Sequence, residues 1–588
     1  MISLKIIKRH QLSNLTKPKE SYSRWINHQG KNHLNSLFST QTRRLEEIGK
    51  PYFITTPIFY VNDTPHIGHL YSMVYADILK RWQVLRGKQA ILCTGTDEHG
   101  MKVQRAAKKN AKPPKDYCDL MSDTFKGLAS RANISNDHFV RTTDSSHKDA
   151  VQYFWTVLKE KNLIYESNHQ GWYCLSEETF YPETAIEKRL DPLTGNHFMA
   201  SKETGKEVEY VKERNYHFRL SEFKEPLLKF YKENPDFIVP RQRMNDVITA
   251  VSSGLDDLSV SRPAERSSWG IQVPHDDSQT IYVWLDALVN YITSAKYPWP
   301  PGQQSVGGWP ADLHVIGKDI VRFHCIYWPA FLLAAGLKPP KQILSHSHWT
   351  MRKQKMSKST GNVVNPIYAI DRFGLDAMRF YLAYDGGILN DTDYGNQVIV
   401  ARYKKCLQGG LGNLLFRITR PVIWNPYKCV TGFVKRENCA DYFSDTKDLR
   451  NILFTLSSEV SHHMDQLDIG KALQCIMIAI YRANAYFQKT QPWTLAKYFI
   501  TFKDLGNRGN SNEQLEEIIY HCMETLRICG ILLQPFIPSK ATELLDILCV
   551  DSMKRSFDFA NYKSDLEFGN TIPVPSKQLL FPQLAVEN

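Results

Sequence analysis

The chain has 588 residues, 42% of them hydrophobic, which is enough to bury cores for roughly three to five domains of about 100–200 residues each. No stretch approaches the roughly 18 consecutive apolar residues of a membrane span, so the body reads as soluble. The net charge is +12, but half of that excess falls in residues 1–49, so global charge is only a mild argument for a nucleic-acid partner.

Residues 1–49 have a composition of their own. Up to Arg44 they carry Lys5, Lys8, Arg9, Lys17, Lys19, Arg24, Lys31, Arg43 and Arg44 against one acidic residue, Glu20, with serines interspersed. Basic, serine-containing and acid-poor is the composition of an organelle transit peptide, and mitochondrial import is the expectation. A disordered basic tail is the alternative.

Tyr52 to Thr56 is a β-prone run. Asn62-Asp63-Thr64-Pro65 then signals a helix start, with Asp63 or Thr64 as cap and Pro65 in the first turn. Leu70, Val74 and Ile78 recur at helical spacing up to a stop at Gly87, and Ala90 to Thr94 is a second strand. A strand–helix–strand unit is the building block of a parallel sheet. The pattern resumes with Ile281 to Leu285, Leu313 to Ile316 and Ile343 to Ser345 as buried strands and a helix after Asp319. The sheet is therefore split by an insertion over 166–275. Beyond about residue 400 helical spacing dominates, in Leu407, Leu411, Leu414, Leu415 and Ile418 and again in Leu473, Ile476, Met477 and Ile480. This predicts a helix bundle, with an exposed loop over 501–512. The 11 cysteines show no Cys-x-x-Cys spacing and read as reduced, mostly buried thiols.

Two short motifs carry chemistry. In Pro65-His66-Ile67-Gly68-His69 the histidines are three apart at a helix start, so they share a face. Unpaired N–H groups there make an anion site, and Gly68 leaves room for a base or phosphates to approach. In Lys355-Met356-Ser357-Lys358-Ser359 a mobile hydrophilic loop can bring lysines to developing phosphate charge. A capped helix with surface histidines and a solvated basic loop are the plain alternatives. As an ordered pair the motifs point to activation of a substrate by ATP.

Further blocks lie around them. They are Thr55-Thr56-Pro57-Ile58-Phe59-Tyr60-Val61-Asn62, Thr94-Gly95-Thr96-Asp97-Glu98-His99-Gly100, Val283 through Tyr291, and Ile316-Gly317-Lys318-Asp319 on to His324. In this order, with the two motifs, the chain closely resembles the methionyl-tRNA synthetase family of class I, in its bacterial and mitochondrial form. The resemblance runs from residue 50 to the C-terminal bundle.

That resemblance implies an α/β fold: a Rossmann-like parallel-sheet catalytic domain split by a connective insertion, followed by an all-α anticodon-binding helix bundle. Its segments would be a leader over 1–49, catalytic halves over 50–165 and 276–345, the insertion over 166–275, a stem-contact region with the lysine loop over 346–400, and the bundle over 401–588. It implies a methionine–tRNA ligase that makes methionyl-adenylate from L-methionine and ATP with Mg²⁺ and passes the methionyl group to tRNA(Met) in the mitochondrial matrix, acting as a monomer. Carried over by position, Ile58, Tyr60, Trp284, Leu288, Tyr291 and His324 line the methionine side-chain pocket, and Asp97 holds the ammonium. His66, Gly68 and His69 meet the ATP phosphates, Gly317 and Asp319 hold the ribose, and His346 lies near the ATP site. Lys355, Met356, Ser357, Lys358 and Ser359 close on the departing pyrophosphate. Asn413, Arg417 and Trp493 read the anticodon, with Arg402, Lys404, Lys405 and Arg420 on phosphates.

The residue chemistry agrees with these roles, since a thioether favours aromatic walls and a carboxylate pairs with an ammonium. Core aromatics and a capping carboxylate are the plain alternatives. Many members of the family hold zinc in the insertion. Here Cys174 is the one cysteine between 166 and 275, which cannot build a tetrahedral site, so no zinc is predicted. Ser345 and Ser347 stand where the family usually has alanine and glycine. The insertion is also too short for the editing domain of the branched-chain relatives. A synthetase for another amino acid, and a tRNA-binding protein that has lost catalysis, remain as competing readings.

Overall fold

A six-stranded parallel sheet frames the site. The computed structural model describes residues 50–588 apart from 175–178, 192–193, 203, 301, 357–360, 437–441, 502–507, 570–578 and 585–588. The leader, Ser357, Lys358 and Ser359, and the side chain of Lys355, lie outside the described residues.

In chain order the elements that matter begin with β1 (Tyr52–Tyr60), α1 (Ile67–Leu85), β2 (Ala90–Asp97), β3 (His138–Arg141) and α2 (Ser145–Glu160). They continue with β4 (Ile164–Cys174), β5 (Glu209–Phe218), β6 (Ile238–Val239), α3 (Val283–Ser294), β7 (Leu313–Gly317) and β8 (Ile343–His346). The sheet order is β3-β2-β1-β7-β8-β6, and every pairing is parallel. The order reverses between β1 and β7, and such a switch point opens a crevice at the carboxyl ends of the strands.

Both faces of the sheet are covered, as a parallel sheet requires. Because side chains alternate along a strand, Ile54, Leu92, Leu313, Val315 and Leu344 enter one core while Phe53, Cys93, Ile316 and Ile343 enter the other. Helix α1 lies in the first core with Leu70, Val74 and Ile78 buried, and that core runs on into the C-terminal helices through Leu414, Leu473 and Ile476. Those helices include Asn413–Thr419, Ser444–Asp465, Ile469–Thr490 and Arg508–Leu533.

Three local expectations need correction. Ile281 to Leu285 is not a strand: a strand ends at Ile281 and α3 begins at Val283, so Trp284 and Tyr291 ride on one helix. Part of the segment expected as a loop, 508–512, is helical; 502–507 lie outside the described residues. Within 166–275 the chain forms a long antiparallel pair of β4 with β5, yet β6 from the same stretch returns to the main sheet as its edge strand beside β8. Cys174 packs there as an apolar group with Ile186 and Val208. Among the described residues no helix is long and apolar enough to cross a membrane.

Strand β1 holds Pro57 in a central position that normally excludes proline. The register with β2 shifts between Thr55 and Ile58, so the missing N–H falls at an irregularity and the last residues of β1 are re-aimed. Gly95 opposite is obligatory, because a Cβ there would sit 2.1 Å from the Val140 carbonyl oxygen.

Candidate active site

Four of the expected residues end adjacent strands at the switch point: Tyr60 on β1, Asp97 on β2, Gly317 on β7 and His346 on β8.

At the start of α1 the cap is His66, not Asp63 or Thr64. His66 Nδ1 accepts the Gly68 N–H at 3.1 Å, and His69 Nδ1 accepts the His66 N–H at 3.0 Å. This is a capping box built from two imidazoles. The first-turn N–H groups are committed, since Ile67 donates to the Val364 carbonyl at 3.1 Å and His69 to the His66 carbonyl at 3.0 Å. The expectation of unpaired backbone donors is therefore replaced. Both Nδ1 atoms are acceptors, so each neutral ring carries its proton on Nε2. The rings stack with centroids 3.9 Å apart, and Phe59 and Phe125 meet His69 edge-on. Two N–H donors are thus presented side by side, a geometry suited to phosphate oxygens. A Cβ on Gly68 would lie 2.9 Å from His66 Cε1, so the glycine makes room for that ring. Gly68→Ala is expected to lower kcat/KM for ATP by about 10- to 100-fold through misplacement of His66. Exchange kinetics with the thermal midpoint in parallel would check this; unchanged kcat/KM would show that the ring tolerates the methyl.

Several residues expected to line the side-chain pocket meet at α3. Trp284, Leu288 and Tyr291 are spaced to share one face of that helix. Tyr291 Oη lies 2.7 Å from His324 Nε2, while His324 Nδ1 is 2.9 Å from the Ile320 carbonyl oxygen. A carbonyl only accepts, so His324 is protonated on Nδ1 and its Nε2 accepts the tyrosine hydroxyl. Trp284 stacks flat on Phe323 at 3.6 Å and meets His324 edge-on. Tyr60, at the end of β1, packs against the same core as Leu288 and Tyr291, its hydroxyl donating to the His99 carbonyl at 2.9 Å, while Ile58 lies beside Gly95. Sequence reasoning missed Phe323; its place directly before His324 was the available signal, and the structure puts both in a short π-helical turn.

Asp97 is buried, 7% exposed, at the end of β2. The two residues after it turn away into polar networks. Glu98 accepts a bidentate pair of bonds from Arg141 at 2.7 and 2.9 Å and another from the Thr96 hydroxyl at 2.6 Å. His99 bonds Asp286 at 2.7 Å. The motif therefore contains one residue for the crevice and two that hold the loop.

On the other side of the crevice a Cβ on Gly317 would meet Asp319 Oδ1 at 2.9 Å and His348 Nε2 at 3.6 Å. His348 Nε2 is 3.2 Å from Asp319 Oδ1, so His348 is a further site residue missed from sequence. Alternation along the chain from His346 could have found it. His346 itself is 4% exposed: its Nε2 accepts the Ser72 hydroxyl at 2.8 Å, and its Nδ1 donates to the Ser347 carbonyl at 2.9 Å. In this structure it braces α1 rather than facing the crevice.

In the C-terminal helices Arg417 stacks over Phe487 and Trp493 at 4.7 and 5.5 Å and donates to Gln488 at 2.7 Å. With Phe416, Arg420 and Trp424 these residues line an apolar cleft of about 410 Å³, and Asn413 is exposed one turn before Arg417. Arg402, expected on phosphate, instead makes a fork to Asp385 at 2.7–3.0 Å.

Residues 52–419 match the family model described as tRNA synthetases class I (M), and 439–587 match the anticodon binding domain of methionyl tRNA ligase. The chain belongs to the class I methionyl-tRNA synthetases. It is thus an aminoacyl-tRNA synthetase, a ligase that joins methionine to tRNA. The probable mitochondrial methionine–tRNA ligase of Neurospora crassa is 53% identical over 546 residues, covering 91% of this chain and 85% of that protein. The mitochondrial methionine–tRNA ligase of Homo sapiens is 41% identical over 554 residues, covering 90% of each. The Mycobacterium tuberculosis methionyl-tRNA synthetase, solved with methionyl-adenylate, superposes with a TM-score of 0.81 at 36% identity, covering 91% of this chain and all of that one.

The buried imidazoles of this synthetase make it acid-sensitive. Burial pushes His324 and His346 down from 6.5 to about 4, and His314 well below its usual value. Their folded-state values are depressed, so the unfolded chain binds more protons between about pH 4 and 6.5. Stability is then fully present above pH 6.5 and is lost as pH falls through that window, by about 1.4 kcal/mol per pH unit for each histidine. Denaturant melts from pH 7.5 to 4.5 should show this slope, and His346→Asn should remove one proton from it. An unchanged slope in that variant would count against a buried neutral His346.

Proposed function

We propose that this synthetase activates L-methionine in the switch-point crevice, with Asp97 on the ammonium, and Ile58, Tyr60, Trp284, Leu288, Tyr291 and His324 around the thioether. What carries this reading is the convergence of the paired His66 and His69 Nε2–H donors with a hydrogen-bonded aromatic pocket at the ends of adjacent strands. The methionine carboxylate oxygen attacks the α-phosphorus of ATP. The bond to the bridging oxygen breaks, and pyrophosphate leaves with its electron pair. His66 and His69 hold the phosphates, with Gly68 leaving room for the His66 ring, Gly317 and Asp319 hold the ribose, and His346 braces α1 from behind. Lys355 and Lys358, next to Met356, Ser357 and Ser359 in sequence, offset the charge that builds on the leaving group. The terminal adenosine 2′-hydroxyl of tRNA(Met) then attacks the carbonyl carbon, its proton is lost, and AMP departs.

Among the described residues no group of three or more His, Cys, Asp or Glu side chains is placed to hold a metal ion. Mg²⁺ bound with ATP would supply positive charge to the phosphate oxygens beside His66 and His69. The cleft lined by Arg417 and Trp493, one helical turn on from Asn413, offers an aromatic platform and a guanidinium for an unstacked anticodon base. The mitochondrial matrix as site of action rests on the basic leader and on the names of the relatives. A monomer is the simplest state for a chain that carries both the crevice and the bundle.

The test is amino-acid-dependent ATP–pyrophosphate exchange. Methionine should support it, and leucine, isoleucine and valine should not. Exchange with another amino acid alone would overturn the specificity, and no exchange at all would favour a binding protein. A reporter fused to residues 1–49 that stayed in the cytosol would overturn the location.

A further inference from the structure

Behind the methionine pocket lies a buried polar cluster with no part in the chemistry above. Asp286, on α3, is fully buried; its Oδ2 is 2.7 Å from His99 Nδ1 and its Oδ1 is 2.7 Å from His147 Nε2. Burial by itself would raise this carboxyl, but the attraction and hydrogen bonds of His99 and His147 hold it down at about 2. It is therefore a carboxylate that only accepts, and both histidines donate to it. The other nitrogen of His147 is 3.1 Å from Thr293 Oγ1, also on α3. Three segments meet here: the loop after β2, helix α2 and helix α3.

We propose that His99, Asp286 and His147 are positioning residues for methionine, locking the loop that carries Asp97 to the helix that carries Trp284, Leu288 and Tyr291. This rests on the reading that methionine lies between those two segments. Trp284, Leu288 and Tyr291 share one helical face, and Asp286, two positions from both Trp284 and Leu288, points away from it. The bonds to His99 and His147 hold α3 from behind and so fix its rotation. They also set its distance from Asp97, which lies two residues before His99. The loop is held from its other side too: the Trp269 indole donates to the Glu98 carbonyl at 2.6 Å, and the Gly100 N–H donates to the Trp269 carbonyl at 2.9 Å. A misplacement of about 1 Å between ammonium site and side-chain pocket is enough to cost on the order of 100-fold.

The test is the split between the two substrates in pyrophosphate exchange. Asp286→Asn and His147→Leu should raise KM for methionine by about tenfold or more while KM for ATP stays within about twofold. His147→Gln, whose amide nitrogen replaces Nε2–H, should restore most of the loss. Unchanged methionine KM in His147→Leu, or parallel rises for both substrates, would overturn the proposal. If Asp286→Asn does not fold, the Leu/Gln pair at 147 still decides. Asp97→Asn is the control: if it leaves methionine KM untouched, the reading of the methionine site fails, and not the cluster alone.

Discussion

Asp97→Ala is expected to abolish methionine-dependent pyrophosphate exchange while leaving tRNA binding nearly intact. Asp97 is almost fully buried at the carboxyl end of β2, where its neighbours Glu98 and His99 are tied into their own networks. A carboxylate in that setting pairs with an ammonium under little solvent screening. Removing one partner of a buried charge pair costs about 2–5 kcal/mol. That is a loss of roughly 30- to 5,000-fold in kcat/KM for methionine. The cleft around Arg417 and Trp493 is built from other helices, so filter binding of tRNA should change little. Unchanged exchange would remove Asp97 from the site. A parallel loss of tRNA affinity would mean that the substitution unfolds the protein.

Arg379→Met is expected to be the most destabilising single change. Arg379 is on the helix Leu375–Asp385 and has no exposed surface. Its guanidinium donates to Asp77 Oδ2 at 2.6 Å, to the carbonyls of Pro535 and Phe536 at 3.0 Å, and to that of Ala132 at 3.2 Å. Asp77 is itself on α1, the helix that presents His66 and His69, and it also accepts from Arg81 and Ser135. One side chain therefore joins the catalytic helix to the C-terminal helices. Removing the guanidinium breaks a buried pair, leaving Asp77 with Arg81 as its remaining cation and three buried carbonyls without this donor, and costs about 3–5 kcal/mol. Chemical denaturation with the unfolding midpoint as readout should show it. Asp77→Asn combined with Arg379→Met should lose less than the sum of the single changes, because the two share a bond. A midpoint shift worth less than about 1 kcal/mol in Arg379→Met would refute the role, since ordinary surface substitutions reach only about half that.

Much of the sheet was legible because its strands carry local signals. Leu313 to Ile316 and Ile343 to Ser345 are short apolar runs between breakers, and they are strands in the structure. Ile281 to Leu285 misled because a buried helix entry and a buried strand have the same composition over five residues. The cap of α1 misled for a different reason. Asp63 and Thr64 have better intrinsic capping chemistry than histidine. The packing of α1 between the sheet and the C-terminal helices places the helix start at Ile67, so His66 takes the cap. His348 and Phe323 were missed because their contacts, Asp319 and Trp284, lie far off in the chain.

By itself the sequence determined the family and the residue types of the site. The ordered blocks around His66, His69, Asp97, Trp284 and Gly317 are local strings, and a string can be read without coordinates. What only the tertiary structure decided is the state of those groups. The tautomers of His66, His69 and His324 follow from local backbone groups that the folded turns aim at the rings, while the Val364 carbonyl on the Ile67 N–H, the Tyr291 hydroxyl on His324 and the Ser72 hydroxyl on His346 come from far off in the chain. A proton sits on one ring nitrogen or the other according to what faces it, and only the folded backbone, near or far in sequence, fixes which group that is.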